Sequence, residues 1–484
     1  MVTLSGEESQ EIAKSTISKE IILLLISTLL LRIGFGAILI LFDWTLVWGI
    51  EHTLGVEAHS SVESILLTSF AAITYLIAEI LMTGYYGNRS DKVGAKPVIL
   101  FATIGSFIVI LLYMPSTLIF DAFYLTSPIV ALLLLTGYLA LIHFIHGVFA
   151  AAKVAPTLGF INHYSDETNR TLHMAYFDNA ILYGRALGMM SGAFTWIYFK
   201  VDHAQDVIVQ SRRISLAYVP LSVLLLVASL IIYFGLNNTP TIEEPKPFNL
   251  KEDVKIAFSV MMKEERRPLL LPWLSIAALI GSASIWGPSV AFRIVGGKDG
   301  HNNDRGFEAI LPIMVILFAL ALPAPFWGWY ADRHGKKRTM TIGLFGIPIA
   351  LVLGLAIGFP FYGEALLSQE ASIISNIPFL ASLAPAIFFF SSFIPVLIGS
   401  LGETAHREKK EDGHVMSGYH FVIAMGEIIG ILGGGLFIGL FALFHQINLI
   451  PDGNLALLVG FVLFELILVA GMTLGILRLP DRYH

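Results

Sequence analysis

Cysteine is absent from the 484 residues. That excludes disulfides, thiolate metal sites and a cysteine nucleophile. Charge is scarce as well: Asp, Glu, Lys and Arg make up 14% against 56% hydrophobic residues, with a mean hydropathy of +0.75. A water-facing globular surface runs near a quarter charged, so a chain of this length must turn most of its outer surface to lipid. No Gly-x-x-x-x-Gly-Lys loop occurs, which argues against a self-contained ATP-driven pump. No carboxylate or histidine cluster has the spacing of a nucleophile with its base, or of a metal site, so an enzyme is not expected. No cofactor and no nucleic-acid partner are expected either. The first twenty residues are polar and acidic (Glu7, Glu8, Glu11), so a cleavable signal is not expected.

What is present is a series of long apolar runs. A hydrocarbon core of roughly 30 Å takes about 20 apolar helical residues. Twelve stretches qualify: 21–42, 62–86, 97–114, 128–152, 171–199, 214–236, 269–292, 307–330, 339–361, 379–402, 415–444 and 454–477. With the N-terminus inside, most of the 30 lysines and arginines fall on the inner side. Lys200, Arg212, Arg213, Lys298 and Arg305 fall outside, and Arg32, Arg185 and Arg293 fall within spans. This bias predicts both termini in the cytoplasm. The chain then divides into a tail (1–20), a six-helix bundle (21–236), a cytoplasmic linker (237–268), a second bundle (269–477) and a tail (478–484). In the linker, Leu250, Val254, Ala257, Phe258 and Met261 recur at helical spacing behind an Asn249/Glu252 cap pair. This predicts a short amphipathic helix at the inner membrane surface.

The halves repeat each other. Gly87, Asp91, Lys92, Gly94 and Lys96 after span two return as Gly328, Asp332, Arg333, Gly335 and Lys337 after span eight. Met174 to Gly192 in span five returns as Met416 to Gly434 in span eleven, laying Gly184, Gly188 and Gly192 onto Gly426, Gly430 and Gly434. Glycine every fourth residue makes a flat stripe for a close helix neighbour. In the two loops the glycines permit a tight turn. The acidic residue can pair with an arginine or cap the N-terminus of another helix.

These paired loops resemble the signature loops of the major facilitator superfamily, between helices two and three and between eight and nine. The resemblance covers the whole chain at the level of topology. It implies an all-α membrane protein of twelve helices in two pseudo-symmetric bundles around a cavity that opens alternately to each side. By that likeness Asp91 and Asp332 with their neighbours gate the cytoplasmic face. Three family patterns are missing. The exporter motif of helix five has Met189 after Gly188 where a proline is usual. His143 and His146-Gly147 stand where many members carry an arginine and a glutamine-glycine. No sugar-porter signature follows span six.

Charges inside spans need a partner or a wet cavity. The repeat aligns Asp178 with His420 and Arg185 with Glu427, opposite charges at matched depth. Arg185 can hold an anionic group and Glu427 a proton or cation; equally, the two can bridge the halves. Arg32 is either a substrate anchor or a partner of Glu79. His143 and His146 share a face of span four and are either proton relays, His146 beside Asp178, or ordinary buried histidines. Trp286 either lines the cavity or packs. The substrate-binding candidates are therefore Arg32, Arg185, Glu427 and Trp286. The proton-coupling candidates are Asp178, His143, His146, His420, Glu427 and Glu79.

The expected function is a secondary active transporter, symporter or antiporter, for a small solute leaning to an organic anion. Protons are the expected coupling ion, and a monomer in the plasma membrane the expected form. The alternatives are a proton-driven exporter of amphipathic or cationic compounds, and a non-transporting receptor that keeps the fold.

Overall fold

The structure is a computed structural model describing residues 17–54, 62–199, 206–239, 249–295, 314–367, 384–407, 412–450 and 453–480. Lys200, Lys298 and Arg305 lie outside the described residues, as do 1–16 and 481–484 of the two tails. Among the described residues the secondary structure is helical. The N-terminal half holds α1 (Lys19–Leu54), α2 (Val62–Val93), α3 (Ala95–Tyr113), α4 (Pro115–Tyr124), α5 (Pro128–His163), α6 (Arg170–Phe199), α7 (Val207–Leu216) and α8 (Val219–Gly235). After the linker helix α9 (Leu250–Met262) come α10 (Arg267–Val295), α11 (Ala324–His334), α12 (Lys336–Leu367), α13 (Phe393–Arg407), α14 (Asp412–Gln446) and α15 (Gly453–Leu477). Helical residues 314–321 lead into α11, and 384–390 into α13.

The described parts of the expected spans are helical apart from short breaks, with 307–313 of span eight and 379–383 of span ten outside the described residues, and nine helices are long and apolar enough over the described residues to cross a membrane. Span six is built from two helices, α7 and α8, and span three is followed directly by α4; Pro220 and Pro115 open these second helices, where a continuous helix would need a backbone N–H. Span four runs past residue 152 as far as His163, with Pro156 inside it. Asp206 starts α7 by accepting the Ile208 N–H at 3.2 Å, so Arg212 and Arg213 stand on a helix and not in a loop. Large apolar side chains such as Leu133, Phe234 and Leu436 face outward, as lipid contact requires.

The core is unevenly shared. At the end of the bundle where Glu20, Asn237 and Leu479 lie, the terminal face, one apolar core joins both halves; it includes Leu24, Phe177, Trp273, Phe393 and Met416. A second core, with Phe42, Trp48, Tyr113 and Tyr218, belongs to the N-terminal half alone. Helix α9 lies under the terminal face across both halves. Its backbone at Asp253 crosses α2 at Gly84, and Val260 meets α14 at Gly418. Asn249 caps it by accepting the Glu252 N–H at 3.3 Å. Ala257, Val260 and Met261 are buried there, while Leu250, Phe258 and Met262 stay exposed. The apolar stripe read from the sequence is thus divided between protein and surroundings. Asp253 is buried against α2, and that burial pushes its carboxyl above the usual carboxylate range.

The glycine ladders pack helices within each half. Gly184, Gly188 and Gly192 lie against Arg32, Ile33 and Ala37 of α1; Gly426 and Gly430 lie against Ala277 and Ala278 of α10. Both pairs of helices approach backbone to backbone, which any larger side chain would prevent.

Candidate functional site

Two levels of the interface between the halves hold the candidate residues. The first is the terminal face, where the repeated loops meet the opposite half. Asp91 accepts the Gly413 N–H at 2.8 Å and the His414 N–H at 2.7 Å, at the start of α14. Asp332 accepts the Thr171 N–H at 3.2 Å and the Leu172 N–H at 3.0 Å, at the start of α6. Each carboxylate meets the positive end of a helix dipole and satisfies N–H groups that have no partner within their own helix. The flanking glycines make this possible. Gly87 packs on Gly413 and Ser417, and Gly328 on Thr171 and Ala175, with room for no Cβ. Gly94 and Gly335, at φ 88° and 93°, hold a backbone that L side chains rarely adopt.

The supports of the two loops differ. Asn238 donates to the Val93 carbonyl at 3.1 Å, and Thr239 accepts the Ala95 N–H at 2.8 Å, so the end of span six braces the first loop. In the second, Lys336 pairs with Glu403 at 2.5 Å and the Arg333 guanidinium lies 4.6 Å from the Trp329 ring. Lys92 is buried, whereas Arg333 is exposed.

The second level lies deeper. Glu79 of α2 and His420 of α14 meet across the halves, Oε1 to Nε2 at 3.2 Å, and both are buried. The contact has ion-pair distance without the alignment of a hydrogen bond. Tyr75 adds a side-chain hydrogen bond to Glu79. Arg32 is buried too, with no hydrogen-bond partner at Nε. It feels Arg185, Glu79 and Glu427 through space without ion-pair contact, so Glu79 takes His420, and not Arg32, as its partner. Arg185 and Glu427 are not in contact either. Arg185 is the leading charged neighbour of both Asp178 and Glu427. Depth separates the two repeat-related pairs. Asp178 and His420 are buried, while Arg185 and Glu427 are half-buried.

The histidines of span four have separate surroundings. His143 Nδ1 is 2.7 Å from the Tyr113 hydroxyl, and its ring stacks on Phe42 at 4.5 Å. His146 stands edge-on to Phe35 at 4.2 Å and to Tyr75 at 5.5 Å, with no hydrogen-bond partner at either nitrogen. It makes no contact with Asp178. Trp286 belongs to α10, but its side chain lies outside the described residues. Three side chains at this level were not picked out from the sequence: Tyr75, Tyr419 and Lys153. Tyr419 shares the electrostatic surroundings of Asp178, Glu427, Arg32 and Arg185. Tyr75 stands one turn before Glu79, a spacing that placed it on the same face of the helix. Among the described residues no group of three or more His, Asp or Glu side chains is arranged to hold a metal ion.

The comparisons agree with this architecture. The family model described as Major Facilitator Superfamily matches residues 33–368, well over half of the chain. A curated relative, a multi-drug resistance efflux pump PmrA homolog from Lactococcus lactis subsp. lactis (strain IL1403), is 26% identical over 174 residues; the match spans 35% of this chain and only 37% of that protein. Among solved structures, the human organic anion transporter MFSD10 (TETRAN) superposes with a TM-score of 0.60 at 16% identity, covering 94% of this chain and 99% of that one. The proton:xylose symporter XylE does so with 0.60 at 14% identity, covering 93% and 94%. A bacterial homologue of the iron transporter ferroportin, in an outward-facing state, gives 0.56 at 14% identity, covering 94% and 97%. At such identities the structural likeness speaks for the fold alone. The chain is a multi-pass membrane protein and belongs to the Major Facilitator Superfamily.

Proposed function

We propose that the protein is a secondary active transporter that moves a small organic anion by alternating access, driven by protons. The observation that carries this reading is the charged cluster between the halves, in which Arg185 and Glu427 are half-buried while Arg32, Glu79, Asp178 and His420 are buried. A charge inside a membrane needs a partner or water. Arg185 and Glu427 are partly exposed and have no ion-pair partner among the described residues, which is the situation of groups that receive a ligand. In this reading Arg185 and Arg32 hold the anion, and Glu427, with Asp178, takes and releases the proton. The Glu79–His420 contact joins the halves at the floor of the cavity. Asp91 and Asp332 are the latches of the terminal face, closed in this state. In this reading the lysine and arginine bias makes that face the cytoplasmic one, and the membrane is the plasma membrane. On the same reading the protein works as a monomer.

Solid-supported-membrane recording on proteoliposomes tests this reading, with a pH-sensitive dye inside to detect electroneutral movement. Small carboxylates are expected to give a current or an internal pH change that grows with a proton gradient and is lost in Arg185→Gln. Signals from cations only, lost in Glu427→Gln, would replace this reading with export of amphipathic cations. The partial likeness to an efflux pump homologue favours that second reading.

A further inference from the structure

Helix α5 carries polar side chains at Thr136, His143, His146, Lys153 and Thr157, spaced for one face of a helix, and all five are buried. His143 is satisfied by Tyr113. The Thr136 hydroxyl, both His146 ring nitrogens, the Lys153 ammonium and the Thr157 hydroxyl have no hydrogen-bond partner among the described residues. Lys153 matters most, because it is 2% exposed and the charged side chain acting on its ammonium is Arg32, of the same sign. Arg32 Nε lacks a hydrogen bond as well.

Arg32 acts through space on both Lys153 and His146. A helical side chain leans toward its helix N-terminus, so the Lys153 stem runs back toward His146, two turns away. Arg32 and His146 flank one ring, Phe35, at 5.8 Å and 4.2 Å. Around them α5 packs on α1, α2 and α3 of its own half and on α14 of the other. An ammonium taken out of water with no counter-charge is strongly unfavourable, and a second cation nearby makes it more so. An anion would supply the counter-charge that this site lacks among the described residues.

We propose that Lys153, together with Arg32 and His146, binds an anionic group of the transported solute, a carboxylate or a phosphate, as the halves close over it. This rests on the organic-anion reading above and adds the residue that receives the charge. Sequence placed Lys153 on the inner side, just past the end of span four. The longer helix instead puts it inside the bundle.

Thermal melting of the full-length protein in detergent tests the proposal, comparing wild type, Lys153→Met and Lys153→Arg with and without succinate or inorganic phosphate. Methionine keeps the length of the side chain and removes the charge. Without added anion, Lys153→Met is expected to melt above wild type, because an uncompensated charge is gone. A lower melting temperature would mean that the ammonium has a partner within the protein, and would overturn the proposal. With anion, wild type is expected to be stabilised. Half-saturation should then need about tenfold more anion in Lys153→Met, partly restored in Lys153→Arg. Equal half-saturation in wild type and Lys153→Met would remove Lys153 from the site and leave the organic-anion reading intact. No stabilisation of wild type by either anion at millimolar concentration would overturn both.

Discussion

Replacing Gly87 by leucine is expected to hold the terminal face open and to slow transport at least tenfold. A Cβ at this position would stand 2.5 Å from the Gly413 carbonyl oxygen and 2.7 Å from the Ser417 Cβ. The first of these is backbone, so the clash is relieved only by moving α2 away from α14. Separation also breaks the two bonds that Asp91 accepts from Gly413 and His414. Hydrogen bonds to a charged group contribute about 1.5–3 kcal/mol each. Loss of the pair shifts a two-state equilibrium by roughly a hundredfold or more. The absence of cysteine gives a clean background for the measurement. Ser417→Cys places a thiol at a fully buried position against Gly87. A charged maleimide should label it slowly in an otherwise wild-type chain and much faster once Gly87→Leu is added. Equal labelling rates would show that this contact does not hold the face shut. The repeat makes the same demand of Gly328, which packs on Thr171 and Ala175.

Glu427→Gln is expected to abolish the response of transport to a proton gradient. Glutamine keeps the shape and the acceptor oxygen of the side chain but cannot take up or release a proton. In the proposed scheme Glu427 is half-buried, with Arg185 as its leading opposite charge, so its protonation decides whether Arg185 is compensated from within or is available to an anion. The variant should still exchange substrate across liposomes at equal pH, while accumulation driven by a gradient falls at least tenfold, a loss equivalent to about 1.4 kcal/mol of coupling. Retained gradient-driven accumulation would move the proton site to Asp178 or Glu79. Loss of exchange as well would make Glu427 a binding residue and not a coupling one.

Much of the fold was legible because the bilayer imposes a simple rule on the sequence. Each apolar run of membrane length is mainly helix where it is described, and the repeated loops lie on opposite halves of the terminal face. Helix ends were less legible. The apolar run of span four stops at Ala152, but the helix continues to His163, because beyond the hydrocarbon it is covered by protein and not by lipid. That is why the sequence alone counts Lys153 among the inner-side basic residues. Partners across helices were the least legible. Arg32 and Glu79 lie at similar depth, yet depth does not fix the rotation of a helix about its axis, and Glu79 points to His420. His143 shows the same limit: the nearby Tyr113 hydroxyl, thirty residues earlier in the chain, settles its hydrogen bond.

The central claim, that one set of buried charges is exposed alternately to the two faces, is tested most directly by paired distance measurements on spin-labelled protein in liposomes. Arg89→Cys with His334→Cys reports on the terminal face, and Leu54→Cys with Leu449→Cys on the opposite one; all four positions are exposed. The account predicts two distance populations for each pair, with pH and substrate lengthening one pair as they shorten the other. Distances that stay fixed under every condition, or that lengthen together at both faces, would contradict it.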